Sequence, residues 1–203
     1  MSSTVETPCV AERPPPVSVH RFTVDQYHRL GELGILVEDD RVELLAGWIV
    51  PKMVHNPQHD AAIQLLDEAI RRLLPNGWRL RIQSSLTTAD SEPEPDLAVV
   101  RGPARGYLSR HPSAEDTALV IEVADSSLAR DRGTKLRVYA GARIETYWIV
   151  NLVARQVEVH REPSGGEPEP IFRSCRVYSV GEKVPLLIDG RVLAEILVED
   201  ILP

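Results

Sequence analysis

The sequence predicts one α/β domain, α+β-like in its order of elements, in which helices cover a mixed β-sheet. Its 203 residues are the length of a single domain, which we expect to span 20–203. The composition, 43% hydrophobic and 26% charged, is that of a globular protein. Apolar runs such as Leu119-Val120-Ile121 alternate with segments of helical periodicity, a pattern typical of a sheet buried by helices.

The N-terminal elements follow from capping and turn residues. Residues 1–19 are rich in Pro, Ser and Thr and are predicted to be a disordered tail. Thr23 is placed to cap a short helix that ends near Gly34. Residues 41–50 predict a hairpin that turns at Ala46-Gly47. Between Pro57 and Pro75 the apolar residues fall on one helical face, which predicts the longest helix.

The rest of the chain predicts a sheet with one more covering helix. A helix is expected over 131–142, a surface loop over 163–170, and late strands with a short helix at the C-terminus. Short runs of β-branched and apolar residues predict strands at 78–83, 97–100, 118–123, 146–150 and 156–160.

Composition also excludes several protein classes. The two cysteines, Cys9 and Cys175, lie far apart, which argues against a disulfide framework and a four-ligand zinc site. No run of about 18 apolar residues predicts a membrane span, and the N-terminus lacks a signal-peptide pattern. We therefore expect a cytoplasmic protein. The net charge of −7 argues against tight nonspecific binding of nucleic acid, but metal ions would offset it locally.

Two carboxylates interrupt or border apolar strands. Glu122 stands inside Leu119–Val123, where an ionised group costs several kcal/mol unless a charge compensates it. Asp96 directly precedes the strand that begins at Leu97, so adjacent strands would bring the two together. Magnesium uses one or two carboxylates with water and phosphate oxygens. The alternative is that both are solvated side chains at a strand end and an edge strand.

Three other residues have two interpretations each. Lys135 lies four residues after Asp131 on a predicted helix, and the pair forms a surface ion pair unless the lysine turns inward. His59 lies on the apolar face of its helix, as either a packed core histidine or a cleft residue. Glu43 alternates with apolar residues of the hairpin and faces either solvent or the cleft that holds Asp96.

Five stretches in one order resemble the Uma-type endonucleases, bacterial proteins of the PD-(D/E)XK nuclease superfamily. The resemblance extends from Arg21 to about Leu197. The stretches are RFTVDQYHRL at Arg21, EDDRVELLAGWIV at Glu38, SEPEPDLAVV at Ser91, LVIEVADSSLARDRGTKLRVYA at Leu119 and ETYWIV at Glu145.

The resemblance implies a restriction-endonuclease-like core and a magnesium-dependent nuclease, with manganese as a substitute metal and DNA as substrate. Asp96 and Glu122 would be metal ligands, Lys135 the catalytic lysine and Glu43 a further site residue, with His59 in the cleft. The usual lysine position, two residues after Glu122, is Ala124 here; similar proteins supply the lysine from the next helix.

The resemblance also bears on assembly and on the alternative to catalysis. A homodimer would allow both strands of a duplex to be cut. The alternative function is a binding or assembly module that keeps the nuclease fold without catalysis, which the acidic net charge favours.

Overall fold

The computed structural model describes residues 19–166 and 169–203, so the predicted tail, apart from Val19, and Cys9 lie outside the described residues. Helix α1 spans Val24–Glu32, and Thr23 and Gln26 form its capping box. Strands β1 (Val42–Leu45) and β2 (Trp48–Pro51) form the predicted antiparallel hairpin. Helix α2 spans Pro57–Arg71 and is the longest.

The centre of the molecule is a six-stranded mixed sheet in the order β3-β4-β5-β6-β7-β8. Only β5 and β6 pair in parallel; the other neighbours are antiparallel. The strands are β3 (Trp78–Ile82), β4 (Leu97–Arg101), β5 (Thr117–Ala124), β6 (Thr146–Asn151), β7 (Gln156–Pro163) and β8 (Phe172–Ser179).

A helical crossover joins the parallel strands β5 and β6, as a parallel pair requires. It begins with the single helical turn α3 (Leu128–Arg130), continues through a π-helical turn at Asp131–Lys135 and ends in α4 (Leu136–Gly141). The predicted helix over 131–142 is therefore present, but its first five residues are wound as a π-turn. Such turns admit one extra residue and occur often at functional sites.

Each face of the sheet buries its own apolar cluster. On one face Leu119, Ile121 and Val123 of β5 pack with Leu66 and Ile70 of α2. A second hairpin, β9 (Lys183–Ile188) with β10 (Arg191–Leu197), and a 3₁₀ turn at Val198–Ile201 contribute to the same cluster. The opposite face is covered by α4, whose Tyr139 packs beside Tyr147.

The predicted strands agree with the structure to within three residues at each end. Two details differ. The loop expected from Pro163 starts one residue later, because Pro163 still pairs with Phe172 of β8. The short helix expected at the C-terminus is the 3₁₀ turn at Val198–Ile201. Among the described residues, no helix is both long and apolar enough to cross a membrane.

Candidate active site

The register of β4 and β5 brings Asp96 and Glu122 together. Leu97 pairs with Ile121 in antiparallel register, so Asp96, one residue before Leu97, lies beside the Glu122-Val123 segment. The backbone N–H of Val123 donates to Asp96 Oδ2 at 2.8 Å. Both carboxylates line one cavity of about 170 Å³. The expected juxtaposition of the two carboxylates is therefore present.

Asp96 is buried and held by two donors. Besides the Val123 amide, the Nε2 of His59 lies 3.1 Å from Asp96 Oδ2. Burial favours the neutral acid, but the hydrogen bond and charge of His59, together with Lys135, outweigh it and lower the pKa of Asp96. His59 is thus buried in its helix face, as a core histidine would be, and also lines the cavity.

Glu122 is only 3% exposed, on the sheet face covered by α4. Its Oε1 accepts hydrogen bonds from Lys135 Nζ at 2.9 Å and from the Tyr139 hydroxyl at 2.6 Å. Burial, reinforced by the neighbouring charge of Asp96, raises the pKa of Glu122 well above its ordinary value despite Lys135. A carboxylate this buried, with this pair of donors, is neither solvated nor on an edge strand.

Lys135 points into the molecule from the π-turn and is 7% exposed. Besides Glu122, its Nζ lies 3.8 Å from Glu43 Oε1. Burial opposes the charged form, but Glu122, Glu43 and the other carboxylates nearby outweigh it and raise the pKa of Lys135. The surface ion pair with Asp131 considered from the sequence was wrong, because both residues are buried and Asp131 accepts from the Ser127 hydroxyl instead.

Glu43 faces the cavity rather than solvent. It is 3% exposed, and its Oε2 accepts a hydrogen bond from the backbone N–H of Glu94 at 3.1 Å. Its Oε1 lies 3.9 Å from Arg130, whose guanidinium also donates to the Pro51 carbonyl. The first hairpin is therefore tied to the β5–β6 crossover at the cavity wall.

The balance of buried charges around Asp96 and Glu122 leaves room for a divalent cation. Four buried carboxylates, which we call the carboxylate cluster, surround one buried lysine, and the cationic form of His59 would add one further positive charge. Arg130 reaches only the edge of the cluster. The excess negative charge is consistent with the raised pKa of Glu122, because burial and the charges of Asp96 and Asp131 disfavour its ionised form. The members are Glu43, Asp96, Glu122 and Asp131.

The oxygens on offer also suit a hard cation. In the described part of the chain, the second oxygens of Asp96 and Glu122 accept no hydrogen bond from protein, while both residues line the cavity. Magnesium prefers oxygen ligands of this kind and retains several waters. The donor set therefore fits the magnesium ion that the resemblance implies.

Tyr139 and Arg130 were missed in the sequence. Tyr139 could have been found, because it lies four residues after Lys135 and therefore on the same helical face. Arg130 carries no comparable signal, since its place beside Glu43 depends on how the hairpin docks against the crossover.

Comparison with known proteins identifies the family. A family model named Uma2, described as putative restriction endonuclease, matches residues 24–186. The chain belongs to the Uma2 family. No curated protein matches it. Among solved structures, it is similar to a putative nuclease of DUF820 from Anabaena variabilis ATCC 29413, with a TM-score of 0.66 and 15% identity over 89% of this chain and 97% of that one. The predicted family and fold class are confirmed.

In this Uma2 protein, Ala124 occupies the position where the motif usually has its lysine, and its surroundings explain the small residue. Ala124 is fully buried on the same sheet face as Glu122, packed in the cluster that includes α4. Lys135 reaches Glu122 from the π-turn in front of α4. A lysine side chain at 124 would compete for the space that α4 fills, so the small residue and the displaced lysine are compatible.

Proposed function

We propose that this Uma2 protein is a magnesium-dependent nuclease that hydrolyses phosphodiester bonds in DNA. One observation carries the proposal: Glu122 is buried in the sheet, bonded by Lys135 and Tyr139, beside Asp96 in a cavity with more carboxylates than cations. Such a charge arrangement costs stability unless a cation is bound, and strongly perturbed carboxylates in a cleft are typical of functional sites.

Asp96 and Glu122 would hold the ion, with manganese as a substitute for magnesium. When bound, the ion supplies a more acidic water and stabilises negative charge on the phosphoryl oxygens. Glu43 would restrain the site through the Glu94 amide and Lys135, as residues around a metal commonly do.

The protein's own residues would position the reacting groups. Lys135 has three donor hydrogens, of which Glu122 uses one. Among the described residues the other two have no hydrogen-bond acceptor, and they could orient a water or neutralise charge on the phosphate in the transition state. The Tyr139 hydroxyl fixes the Glu122 oxygen that Lys135 also binds. Arg41, Lys52 and Arg130 line the cavity and would attract a phosphate chain.

The test is plasmid cleavage by purified full-length protein with magnesium or manganese. Glu122→Gln keeps the side-chain volume but removes the charge, so we expect cleavage to fall by at least about a hundredfold. Glu195→Gln, an exposed glutamate on β10, is the matched control and should cleave normally. Cleavage that survives Glu122→Gln would overturn the proposal.

Calorimetry separates the nuclease from a non-catalytic module of the same fold. We expect manganese binding to the wild type and its loss in Asp96→Asn. Absence of manganese binding at millimolar concentration, with no difference between the two proteins, would favour the module. We also propose a homodimer for cutting both strands of a duplex, to be checked by sedimentation velocity with and without DNA.

A further inference from the structure

A second group of metal-ligating side chains lies at the start of α2. His55, His59 and Asp60 each offer a ligand atom, and these atoms lie within 4.8 Å of one another. We call this group the histidine cluster. The Nδ1 atoms of His55 and His59 are each 3.7 Å from the same oxygen, Asp60 Oδ1. The two imidazole rings are stacked, with centroids 4.2 Å apart.

The hydrogen bonds of His59 leave its Nδ1 unused. His59 Nε2 faces Asp96 Oδ2 at 3.1 Å, and a carboxylate accepts only, so the ring carries its proton on Nε2. Nδ1 is buried and has no hydrogen-bond partner among the described residues, on a side chain that is 10% exposed. In the neutral ring the Nδ1 lone pair points toward Asp60 Oδ1, a contact that either a proton on Nδ1 or a bound cation would compensate.

His55 presents the same chemistry. The Gln83 side-chain amide donates to its Nδ1 at 3.1 Å, so this nitrogen also carries a lone pair. Two imidazole nitrogens and one carboxylate oxygen therefore face one small space, and Gln83 would have to release His55 Nδ1 for that nitrogen to bind a metal ion. We propose that the histidine cluster binds one transition-metal ion of the zinc class, at a site that adjoins the carboxylate cluster along the same cavity but uses other ligand atoms. The proposal does not depend on the nuclease proposal.

Ligand chemistry selects the class of ion. Imidazole nitrogen suits zinc, nickel and copper, whereas magnesium prefers oxygen alone. Around a tetrahedral zinc ion, ligand atoms about 2.0 Å from the metal lie about 3.3 Å apart. The 3.7 Å separations are close to that value. His55 and Asp60 have partly exposed side chains, 30% and 57%, and can move the remaining distance. Three protein ligands leave a fourth position for water or another ligand.

Asp96 gives His59 the support that zinc-binding histidines usually have. A ligating imidazole commonly donates its other N–H to a carboxylate, which fixes the tautomer and the ring orientation. Here that carboxylate is also a member of the carboxylate cluster. The side chain of His59 therefore lies between the two clusters, with Nε2 toward Asp96 and Nδ1 toward His55 and Asp60.

The test is a zinc titration of chelator-treated full-length protein, followed by calorimetry, with excess magnesium present. Cys9→Ser/Cys175→Ser serves as the background, because free thiols also bind zinc. We expect one zinc ion per chain, and at least about tenfold weaker binding in His55→Ala and in Asp60→Asn. His20→Ala and Asp67→Asn, the latter on the same helix, are matched controls that should bind zinc normally. Cobalt in place of zinc should give visible absorption bands that the same two variants lose.

Glu122→Gln distinguishes the two clusters. It should retain zinc binding, even where it abolishes cleavage. Asp60 is largely exposed, so Asp60→Asn tests the site even if His55→Ala fails to fold. Absence of stoichiometric zinc binding would overturn the proposal and leave a proton on His59 as the compensating charge. Zinc binding that Glu122→Gln abolishes and Asp60→Asn preserves would also overturn it.

Discussion

At the scale of single residues, Lys135 has the least ordinary surroundings. Its ammonium is buried among carboxylates contributed by the first hairpin, β5 and the π-turn. A buried cation of this kind compensates the negative charges of carboxylates that are also buried. Removing the cation leaves those charges uncompensated and destabilises the fold.

Lys135→Met should therefore lower the free energy of unfolding by about 3 kcal/mol at about pH 8. At about pH 5 the loss should be smaller, because carboxylates without their lysine have raised pKa values and take up protons as the pH falls. Urea denaturation at the two pH values measures this. Lys52→Met, which breaks a partly exposed pair with Glu94, should cost less than about 1 kcal/mol. Equal losses in the two variants would contradict the buried ion pair.

The hydrogen bond from the Tyr139 hydroxyl to Glu122 leads to a second prediction. Tyr139→Phe removes only the hydroxyl that donates to Glu122 Oε1 and should lower the free energy of unfolding by about 2 kcal/mol, as for hydrogen bonds to charged groups. Tyr147→Phe is the control: its hydroxyl donates to the Asp131 backbone carbonyl at 3.2 Å, a neutral acceptor, so about 1 kcal/mol is expected. Urea denaturation of both variants checks the order. A larger loss in Tyr147→Phe would argue against the Glu122 bond.

At the scale of elements, the π-turn is fastened to the sheet from outside the site. Arg132 donates to both carboxylate oxygens of Glu158 on β7, at 2.9 and 2.6 Å. Asn151 of β6 donates to the same glutamate. The π-turn that carries Lys135 is therefore anchored directly to β7 and, through Glu158, to β6, which restrains the direction of the lysine.

The pH dependence of Glu158 tests this anchor. Burial favours its neutral form, but the nearby His160, 3.9 Å away, and the hydrogen bonds from Arg132 and Asn151 outweigh burial and lower its pKa well below the ordinary 4.5. A lowered pKa stabilises the fold above 4.5, and this contribution is lost as the pH falls through the folded-state pKa. Glu158→Gln should cost about 2 kcal/mol near neutral pH. The difference from wild type, followed by urea denaturation, should shrink in acid; a constant difference would contradict the assignment.

At the scale of the whole molecule, the carboxylate cluster lies where four parts of the chain meet. The first hairpin supplies Glu43, the segment before β4 supplies Asp96, β5 supplies Glu122 and the crossover supplies Asp131 and Lys135, while α2 brings His59 against Asp96. A cation bound there would link these parts in the folded state only.

Magnesium should therefore raise the thermal stability of the whole chain. At a hundred times its dissociation constant, a ligand adds about 2.7 kcal/mol, which for a chain of this size raises Tm by about 5 to 10 °C. Differential scanning calorimetry with and without magnesium measures the shift. Asp96→Asn should lose it and Asp67→Asn should keep it. An equal shift in both variants would mean that magnesium acts elsewhere.

The sequence by itself determined the fold class, the order of the strands along the chain and the two carboxylates of greatest interest. These features depend on local signals. The periodicity of strands and helices, and the residues that cap helices and form turns, can be identified from neighbouring residues. The charged residue inside Leu119–Val123 can likewise be recognised from the sequence. The family resemblance, carried by five stretches in order, then singled out Lys135.

Only the tertiary structure decided which neighbours those side chains have. From the neighbouring residues alone, Lys135 could form a surface ion pair with Asp131, and Glu43 could face either solvent or the cleft. The winding of a π-turn and the docking of a hairpin against a crossover turned both inward. The pairing of Tyr139 with Glu122, and of His59 with Asp96, likewise joins residues from separate elements. Such contacts depend on packing across the whole chain, and no local pattern specifies them.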